Sequence, residues 1–334
     1  MIKAAPMIVS RLVMSLLSGL AVSILGLRHR FCLNCRITIR SSWREPIADS
    51  VLPTMTPIAP SFRESGAGPG VICLHANASS SSQWRSLMEM LAPTYRVFAA
   101  DSYGAGKSPP YVDGVIRLGH EVALLEPIFA RAGRPFSLVG HSYGGAVALI
   151  AAMRQPHKVK ALAVYEPTLF SLVDAESPAP NEVDGIRNAV AQAGAALDAG
   201  DRDSAARYFI DLWMGAGAWD KTPEQRKGPI TAAIANVVGW GDALFKEPTP
   251  LEAFATLDVP VLYMIGGRSP PSSRSVARLL TQVLPQVEVV EFEKLGHMGP
   301  VTHPNVVNEA ISQFLSRQLT ERRSFASSRP ASAL

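Results

Sequence analysis

From about residue 57 onward, short apolar runs alternate with segments whose apolar residues recur at helical spacing. Unbroken apolar runs are typical of strands that are buried on both faces of a parallel sheet. They predict strands over residues 70–75, 95–100, 136–139, 159–165, 259–265 and 287–292. The helical spacing predicts helices over residues 82–91, 119–132 with a break near Pro127, 145–154, 273–284 and 305–319. This alternation predicts an α/β fold, a mostly parallel, doubly wound sheet with helices on both faces.

The alternation stops between residues 171 and 257, where the pattern predicts helices over residues 182–199, 203–213 and 222–244. We interpret this segment as a helical cap over the carboxyl edge of the sheet, inserted into a core formed by residues 55–170 and 258–320. Three of its aromatic residues fit the roof of an apolar cavity, although core packing explains aromatics at this spacing equally well: Phe209, Trp213 and Trp219.

The two ends of the chain lie outside this pattern. A 16-residue apolar run, Leu12–Leu27, is short for a membrane span and is not followed by a typical cleavage site. Three interpretations of residues 1–54 stay open: a membrane anchor, an export signal, or sequence upstream of a true start near Met55. We expect a cytoplasmic protein, or an anchored or exported one if this run is used. Residues 321–334, rich in Ser, Ala and Arg, predict a disordered tail.

Composition narrows the class of protein. The chain has 334 residues, is 47% hydrophobic and carries a formal charge of +4. Residues 1–54 hold seven basic residues against two acids, so the remaining 25 basic and 26 acidic residues leave about −1 elsewhere. This balance gives no support to nucleic-acid binding. Cys73 is expected in the core, and Cys32 and Cys35 lack the context of a redox motif. No metal-ligand spacing or dinucleotide fingerprint is visible, so no cofactor is expected.

A stretch at the end of the third predicted strand has the pattern of a reactive turn. Residues 136–149 read FSLVGHSYGGAVAL, an apolar strand, a turn and the start of a helix rich in small residues. The spacing Gly140-x-Ser142-x-Gly144 fits a nucleophile elbow, which exposes a serine at the tip of a sharp strand-to-helix turn. Such a turn leaves no room for a Cβ at the two glycine positions. The helix N-terminus below the serine favours developing negative charge.

A serine hydroxyl becomes a good nucleophile only when a base takes its proton. Of the seven histidines, His297 is the best candidate, because it follows the last predicted strand and so lies on the same carboxyl edge as the serine. The order of the two residues along the chain also fits this assignment. Three other histidines fit less well: His303 at a helix start, His141 beside the serine with its side chain directed elsewhere, and His75 at the end of the first predicted strand.

Four segments match, in order, the motifs of one known family. They are Leu74-His75-Ala76-Asn77 followed by Trp84, the loop Asp101…Gly104-x-Gly106-x-Ser108, the elbow, and Gly296-His297. On these residues the chain resembles the α/β-hydrolase superfamily, in particular its small serine hydrolases with a helical cap, over roughly residues 57–319. The resemblance implies the α/β-hydrolase fold with a cap insertion, and it is much less specific for substrate.

The resemblance also implies an oxyanion hole made by two backbone N–H groups. One is expected from Tyr143, which follows the nucleophile, and the other from Asn77. Such donors typically contribute about 3 kcal/mol each to transition-state stabilisation. The chain departs from the family at Ala76, where glycine is usual and a methyl group would tighten the loop. The Asp101 loop is interpreted as structural, since its glycine and serine residues suit turn geometry.

The acid partner of the histidine does not stand at the usual family position. The family usually has an aspartate after the strand at 259–265, but Ser269 stands there in this chain. Some family members draw the acid from the end of the strand after the elbow helix, which here is Glu166. We therefore predict that Glu166 orients His297 through Nδ1. Two alternatives stay open: Glu166 is a rim carboxylate with a local bond, or a Ser–His dyad is oriented by Ser269 or water.

The sequence therefore predicts a serine hydrolase that cleaves a small, fairly apolar ester, lactone or related carbonyl compound through an acyl-enzyme on Ser142. His297 is expected to transfer the proton, and Glu166 to hold the histidine. Alternatives are a carbon–carbon bond hydrolase with the same triad and a non-catalytic ligand-binding protein, suggested by the missing aspartate. Haloalkane dehalogenase and epoxide hydrolase activities are disfavoured, because the resemblance implies an aspartate nucleophile for both. The expected partner is a small-molecule substrate; the sequence does not define an oligomeric state.

Overall fold

The computed structural model describes residues 59–327, with side chains to residue 320. The apolar run 12–27, Cys32 and Cys35 therefore lie outside the described residues. The sheet has seven strands, β1–β7 in chain order: Phe62–Ser65, Gly70–Leu74, Arg96–Ala100, Phe136–His141, Val159–Tyr165, Val261–Gly266 and Val287–Phe292. Their order across the sheet is β1-β3-β2-β4-β5-β6-β7, and all pairs except β1 with β3 are parallel. This is the predicted mostly parallel α/β sheet.

Helices cover both faces of the sheet and its carboxyl edge. Those of the described region, α1–α12, are Arg85–Leu91, Leu118–Leu124, Glu126–Ala132, Tyr143–Arg154, Ser171–Glu176, Asp184–Asp198, Arg202–Met214, Glu224–Ala233, Val237–Phe245, Pro271–Val283, Gly299–Thr302 and Pro304–Ser327. Short 3₁₀ helices occupy Ser81–Trp84, Ile234–Asn236 and Leu251–Thr256. In the part of the chain described, no helix combines the length and apolarity that a membrane crossing needs.

The first strand was not predicted, and its sequence shows why. β1 reads Phe-Arg-Glu-Ser and is half-buried to exposed, so it lacks the apolar run that marks the inner strands. It joins the edge of the sheet by antiparallel pairing, with Phe62 opposite Ala100. An edge strand of this kind is solvated on one side and needs no continuous apolar sequence.

The last helix corrects the predicted boundary of the tail. α12 continues to Ser327, so residues 321–327, which were expected to be disordered, are helical. No glycine or proline interrupts the chain between Pro304 and Pro330, and these two residues are the strongest helix breakers. The Ser, Ala and Arg content that suggested disorder is therefore compatible with a longer helix. Residues 328–334 lie outside the described part.

Two apolar layers hold the sheet between the helices. On one face, α1 and α12 cover the strands with side chains such as Leu87, Leu91 and Phe314. On the other face, α2, α3, α4 and α10 pack in a larger layer that includes Phe98, Phe129 and Leu138. The inner strand β4 is buried at every position, and so is Cys73 of β2, as expected.

Five helices, α5–α9, lie between β5 and β6, in the stretch that was predicted as a cap insertion, residues 171–257. The predicted helix at 222–244 is two helices, α8 and α9, joined by a 3₁₀ turn. Buried side chains of the insertion, including Phe209 and Trp240, belong to the same apolar layer as α4. The insertion therefore packs directly on the sheet and its helices, beside the carboxyl ends of the strands.

Candidate active site

The turn between β4 and α4 holds Ser142 in a strained conformation. Its φ of +56° and ψ of −118° are unusual for a residue with a side chain. Its N–H donates to the Tyr165 carbonyl at 2.9 Å, which ties the turn to β5. A Cβ at Gly140 would lie 2.5 Å from the Gly144 carbonyl oxygen, and one at Gly144 would lie 2.3 Å from that of Leu74. The turn thus needs glycine at both positions, as the motif predicts.

The structure brings the three predicted side chains into one hydrogen-bonded row. The Ser142 hydroxyl lies 2.9 Å from His297 Nε2, and His297 Nδ1 lies 2.7 Å from Glu166 Oε2. All three residues are buried, with exposed fractions of 6%, 1% and 0% in that order. With the proton on Nδ1 donated to the carboxylate, Nε2 is left free to accept the serine proton. Such a row can activate a hydroxyl for nucleophilic attack.

Glu166 is held at the junction of two strands. It follows β5 directly, has a φ of +43°, and its N–H donates to the Met264 carbonyl at 3.1 Å. The N–H of Gly266, at the end of β6, donates to Glu166 Oε1 at 2.6 Å. The carboxylate therefore spans from β5 to the end of β6, and its second oxygen reaches the histidine. Ser269 does not take this place: its hydroxyl is buried without a hydrogen-bond partner among the described residues.

Ser273, in the first turn of α10, is a further contact that the sequence did not reveal. Its hydroxyl lies 3.2 Å from His297 Nδ1, and the residue is completely buried. No local motif marks this serine, because only the packing of α10 beside the sheet brings it to the histidine.

The loop that carries His297 is fixed by two strand-end residues. The Tyr165 hydroxyl donates to the Gly296 carbonyl at 2.8 Å. The ring of His141 donates from Nε2 to the carbonyl of His297, also at 2.8 Å. His141 thus points away from the serine, as predicted, but it supports the second residue of the row.

His141 also connects the histidine loop to the loop after β2. Gln83 Nε2 donates to His141 Nδ1 at 3.1 Å, and Gln83 Oε1 accepts the Ala76 N–H at 3.1 Å. Burial, followed by the proximity of His297, holds the pKa of His141 well below its usual range. The ring therefore stays neutral, with one donor and one acceptor nitrogen, as its two partners require.

The two predicted oxyanion donors lie on separate elements, the start of α4 and the loop after β2. Tyr143 is the first residue of α4, so its N–H has no acceptor within the helix. The Asn77 N–H finds no acceptor within residues 59–327, and Asn77 lines the same cavity as Ser142. The methyl group of Ala76 is accommodated, since the residue is buried while its N–H is bonded to Gln83.

The Asp101 loop lies beside the site without entering the row of three residues. Asp101 is buried, and its carboxylate accepts the N–H groups of Ser81 at 2.6 Å and Lys107 at 3.3 Å. Its carbonyl accepts the Ser108 hydroxyl at 2.8 Å. These bonds close the loop on itself and on the 3₁₀ helix before α1, which fits the structural interpretation.

A cavity of about 570 Å³ opens above the serine, a size common for small-molecule sites. Of the three aromatics expected in its roof, Phe209 and Trp213 line it. Trp219 does not; it is buried nearby, and its indole N–H donates to Asp203 at 2.8 Å. The Trp213 ring stacks on His297 with a centroid separation of 3.9 Å and an angle of 26°. One cap residue therefore contacts the candidate base directly.

A second, much smaller cavity of about 20 Å³ also touches Ser142 and Asn77. Its remaining walls come mostly from apolar residues of α6, α9 and the segment after β5, such as Phe170, Val190 and Leu244. A space of this size holds roughly one water or one methyl-sized group. The serine thus lies between one roomy and one narrow compartment.

The comparisons with known proteins agree with this architecture. A model of the family described as the alpha/beta hydrolase fold matches residues 69–304. A solved alpha/beta hydrolase from Sphaerobacter thermophilus is similar, with 26% identity and a TM-score of 0.57, over 74% of this chain and 94% of that one. This chain belongs to the alpha/beta hydrolase family.

Its curated relatives include enzymes named for different substrates. It is 27% identical over 266 residues to a pimeloyl-[acyl-carrier protein] methyl ester esterase of Aeromonas hydrophila, a match that covers 75% of this chain and 96% of that protein. It is 22% identical over 272 residues to (E)-2-((N-methylformamido)methylene)succinate hydrolase of Acinetobacter baylyi, covering 76% and 93%. With this family and these relatives, the chain is a hydrolase.

Proposed function

We propose that this hydrolase is a serine esterase that forms an acyl-enzyme on Ser142. The observation that carries the proposal is the continuous row from the Ser142 hydroxyl through His297 to Glu166, with separations of 2.9 and 2.7 Å. The row lies at the floor of an open cavity, so a substrate carbonyl has access to the hydroxyl.

In this mechanism Ser142 Oγ attacks the ester carbonyl while His297 Nε2 takes its proton. Glu166 stabilises the resulting imidazolium through Nδ1. The negative charge on the carbonyl oxygen is stabilised by the N–H groups of Asn77 and Tyr143, at about 3 kcal/mol for each donor. His297 then gives its proton to the leaving alcohol, and a water molecule, activated by the same imidazole, releases the acid and restores the hydroxyl.

The substrate class follows from the two compartments at the serine. The larger cavity has room for a chain of several carbon atoms between apolar walls that include Phe209, Ile210 and Ile230. The smaller one accepts a group of roughly methyl size. We therefore propose an ester with one short arm and one longer, fairly apolar arm. A relative that carries the words methyl ester esterase in its name supports this choice over a lactone.

The geometry of the site weakens one of the two alternative functions and leaves the other equally compatible. The non-catalytic binder was suggested by the absence of an acid at Ser269, and Glu166 now supplies a carboxylate to the histidine. A carbon–carbon bond hydrolase would use the same row of residues, so substrate assays separate it from an esterase.

Labelling with a fluorophosphonate tests the proposal. We expect one covalent adduct per folded chain, located on Ser142 by mass spectrometry and absent from Ser142→Ala. Ser269→Ala is the matched control, since Ser269 is a buried serine of the same edge without a bond to His297. Absence of an adduct on the folded wild-type protein, or an adduct that persists in Ser142→Ala, contradicts the proposed mechanism.

A further inference from the structure

The large cavity has an uneven charge distribution. Two cations, Lys221 and Arg226, are among the residues that line it, and none of the lining residues is an aspartate or glutamate. Both cations are exposed and lie on the segment that joins α7 to α8 and begins α8. Their position is therefore at the cap side of the opening, whereas Ser142 and His297 lie at the buried floor.

The acids nearest to these cations in sequence are already engaged by other residues. Asp220 pairs with Arg207 at 2.7 Å, and Glu224 pairs with Lys227 at 3.2 Å. Lys221 and Arg226 form no salt bridge within the described side chains. The two cations at the opening thus keep their charge available, although carboxylates of the same segment lie close in sequence.

The charge at the opening is a local feature of a nearly neutral stretch of the chain, residues 55–334. Outside residues 1–54 the chain carries about −1, so an excess of basic residues does not explain the pair. Arg226 also lines an adjoining surface groove of about 320 Å³, together with Arg85 and Glu89. Arg226 is exposed and lines both the cavity and this groove, so it stands where the cavity meets solvent.

We infer that Lys221 and Arg226 bind an anionic group at the distal end of the substrate, so that the preferred ester carries a terminal carboxylate or phosphate. This inference rests on the proposed esterase function and specifies its substrate. Apolar walls accept the carbon chain, and the cations fix its length and direction by pairing with the terminal charge. The same charges attract an anionic substrate to the opening before it binds.

Three methyl esters of one chain length test the inference, with methanol release as the readout: methyl hexanoate, monomethyl adipate and methyl 6-phosphooxyhexanoate. We expect kcat/KM for one or both anionic esters to exceed that for the hexanoate by about tenfold, the combined effect of two exposed ion pairs. The anionic ester with the larger increase in kcat/KM shows whether the preferred terminal group is a carboxylate or a phosphate. The ratio should fall towards one in about 0.5 M NaCl, because salt screens exposed pairs.

The variant Lys221→Gln/Arg226→Gln should lower the same ratio by about tenfold. Arg202→Gln is the matched control: Arg202 is an exposed cap cation without a salt bridge in the described region, and it does not line the cavity. It should leave the ratio unchanged. Equal rates for the neutral and anionic esters in the wild-type protein, or a preference that survives in the double variant, overturn the inference.

A binding measurement separates this inference from the proposed function. Calorimetry on Ser142→Ala compares monomethyl adipate with methyl hexanoate and needs no turnover. Tighter binding of the monomethyl adipate, lost in the background of Lys221→Gln/Arg226→Gln, supports the anion site even if no ester is hydrolysed. Equal binding of the two ligands refutes the anion site. The esterase proposal is then still tested separately by the fluorophosphonate experiment.

Discussion

The sheet edge and the cap line the same cavity, but the polar groups of the sheet edge are buried and those of the cap are exposed. On the sheet side, Ser142, Glu166 and His297 are buried and hydrogen-bonded to one another. On the cap side, the polar groups Lys221 and Arg226 are exposed, and the buried lining is aromatic or aliphatic. The candidate catalytic groups are thus fixed by neighbours in the core, whereas the two proposed anion-binding groups stay in solvent.

This contrast leads to different expectations for the two sides. A buried polar row loses its function when one member changes, because each group depends on the partner that orients it. Exposed cations act nearly independently and contribute modestly. Changes at the sheet edge should therefore act mainly on kcat by large factors, and changes in the cap should act on discrimination between substrates by small ones.

The largest of the remaining effects is expected for Glu166→Gln. The amide keeps the shape of the side chain but cannot stabilise the imidazolium as a carboxylate does, so kcat for methyl hexanoate should fall by about 10³- to 10⁴-fold. Ser269→Ala, at the position where the family usually has its acid, should change kcat less than about twofold, since Ser269 makes no bond to the histidine. Undiminished turnover by Glu166→Gln would remove this residue from the mechanism.

The part of the site at the strand ends could be predicted because its signals are local. A tight turn needs glycine at Gly140 and Gly144, and a parallel strand ends at the edge where sites form. The position of Glu166 after a buried strand was therefore informative, although the hydrogen bond that joins it to His297 spans 131 residues of chain.

The remaining contacts depend on packing that no short segment encodes. Ser273 reaches the histidine only because α10 lies beside the strand ends. In the cap, the sequence placed Phe209, Trp213 and Trp219 in one group, and only two of them line the cavity. Which side of a cap helix faces the cavity is set by the neighbouring helices, so aromatic content alone did not separate these residues.

An intermediate effect is expected where the two sides touch. Trp213→Leu removes the stacking of the cap on His297, and kcat/KM should fall by about tenfold, the effect of one aromatic contact. Trp213→Phe keeps a ring over the imidazole and should stay within about twofold of wild type. A decrease in kcat assigns Trp213 to the orientation of the histidine, whereas an increase in KM alone makes it only a wall. Equal activity of the leucine variant and the wild type contradicts the contact, and melting temperatures exclude general unfolding.

The smallest effect concerns a buried charge below the elbow. Glu121 accepts the Tyr143 hydroxyl at 3.0 Å and the Tyr103 N–H at 3.2 Å. Burial raises the pKa of Glu121 to about 7, and the two hydrogen bonds oppose this shift. The folded protein therefore retains a proton that the unfolded chain has already lost at lower pH, and its stability falls as pH rises from the unfolded pKa of Glu121 towards about 7.

Tyr143→Phe should extend this decrease in stability to higher pH. The substitution removes a hydrogen bond that favours the ionised form of Glu121, and so raises the pKa of Glu121 further. We expect a decrease in the free energy of unfolding of about 1 kcal/mol near pH 6, where Glu121 is mostly protonated, and about 2 kcal/mol near pH 8, where it is ionised. Urea unfolding at the two pH values measures the difference. Tyr103→Phe is the matched control, since Tyr103 contacts Glu121 through its backbone N–H and not its hydroxyl. A loss of stability in Tyr143→Phe that is the same at both pH values would show that groups other than the Tyr143 hydroxyl stabilise ionised Glu121.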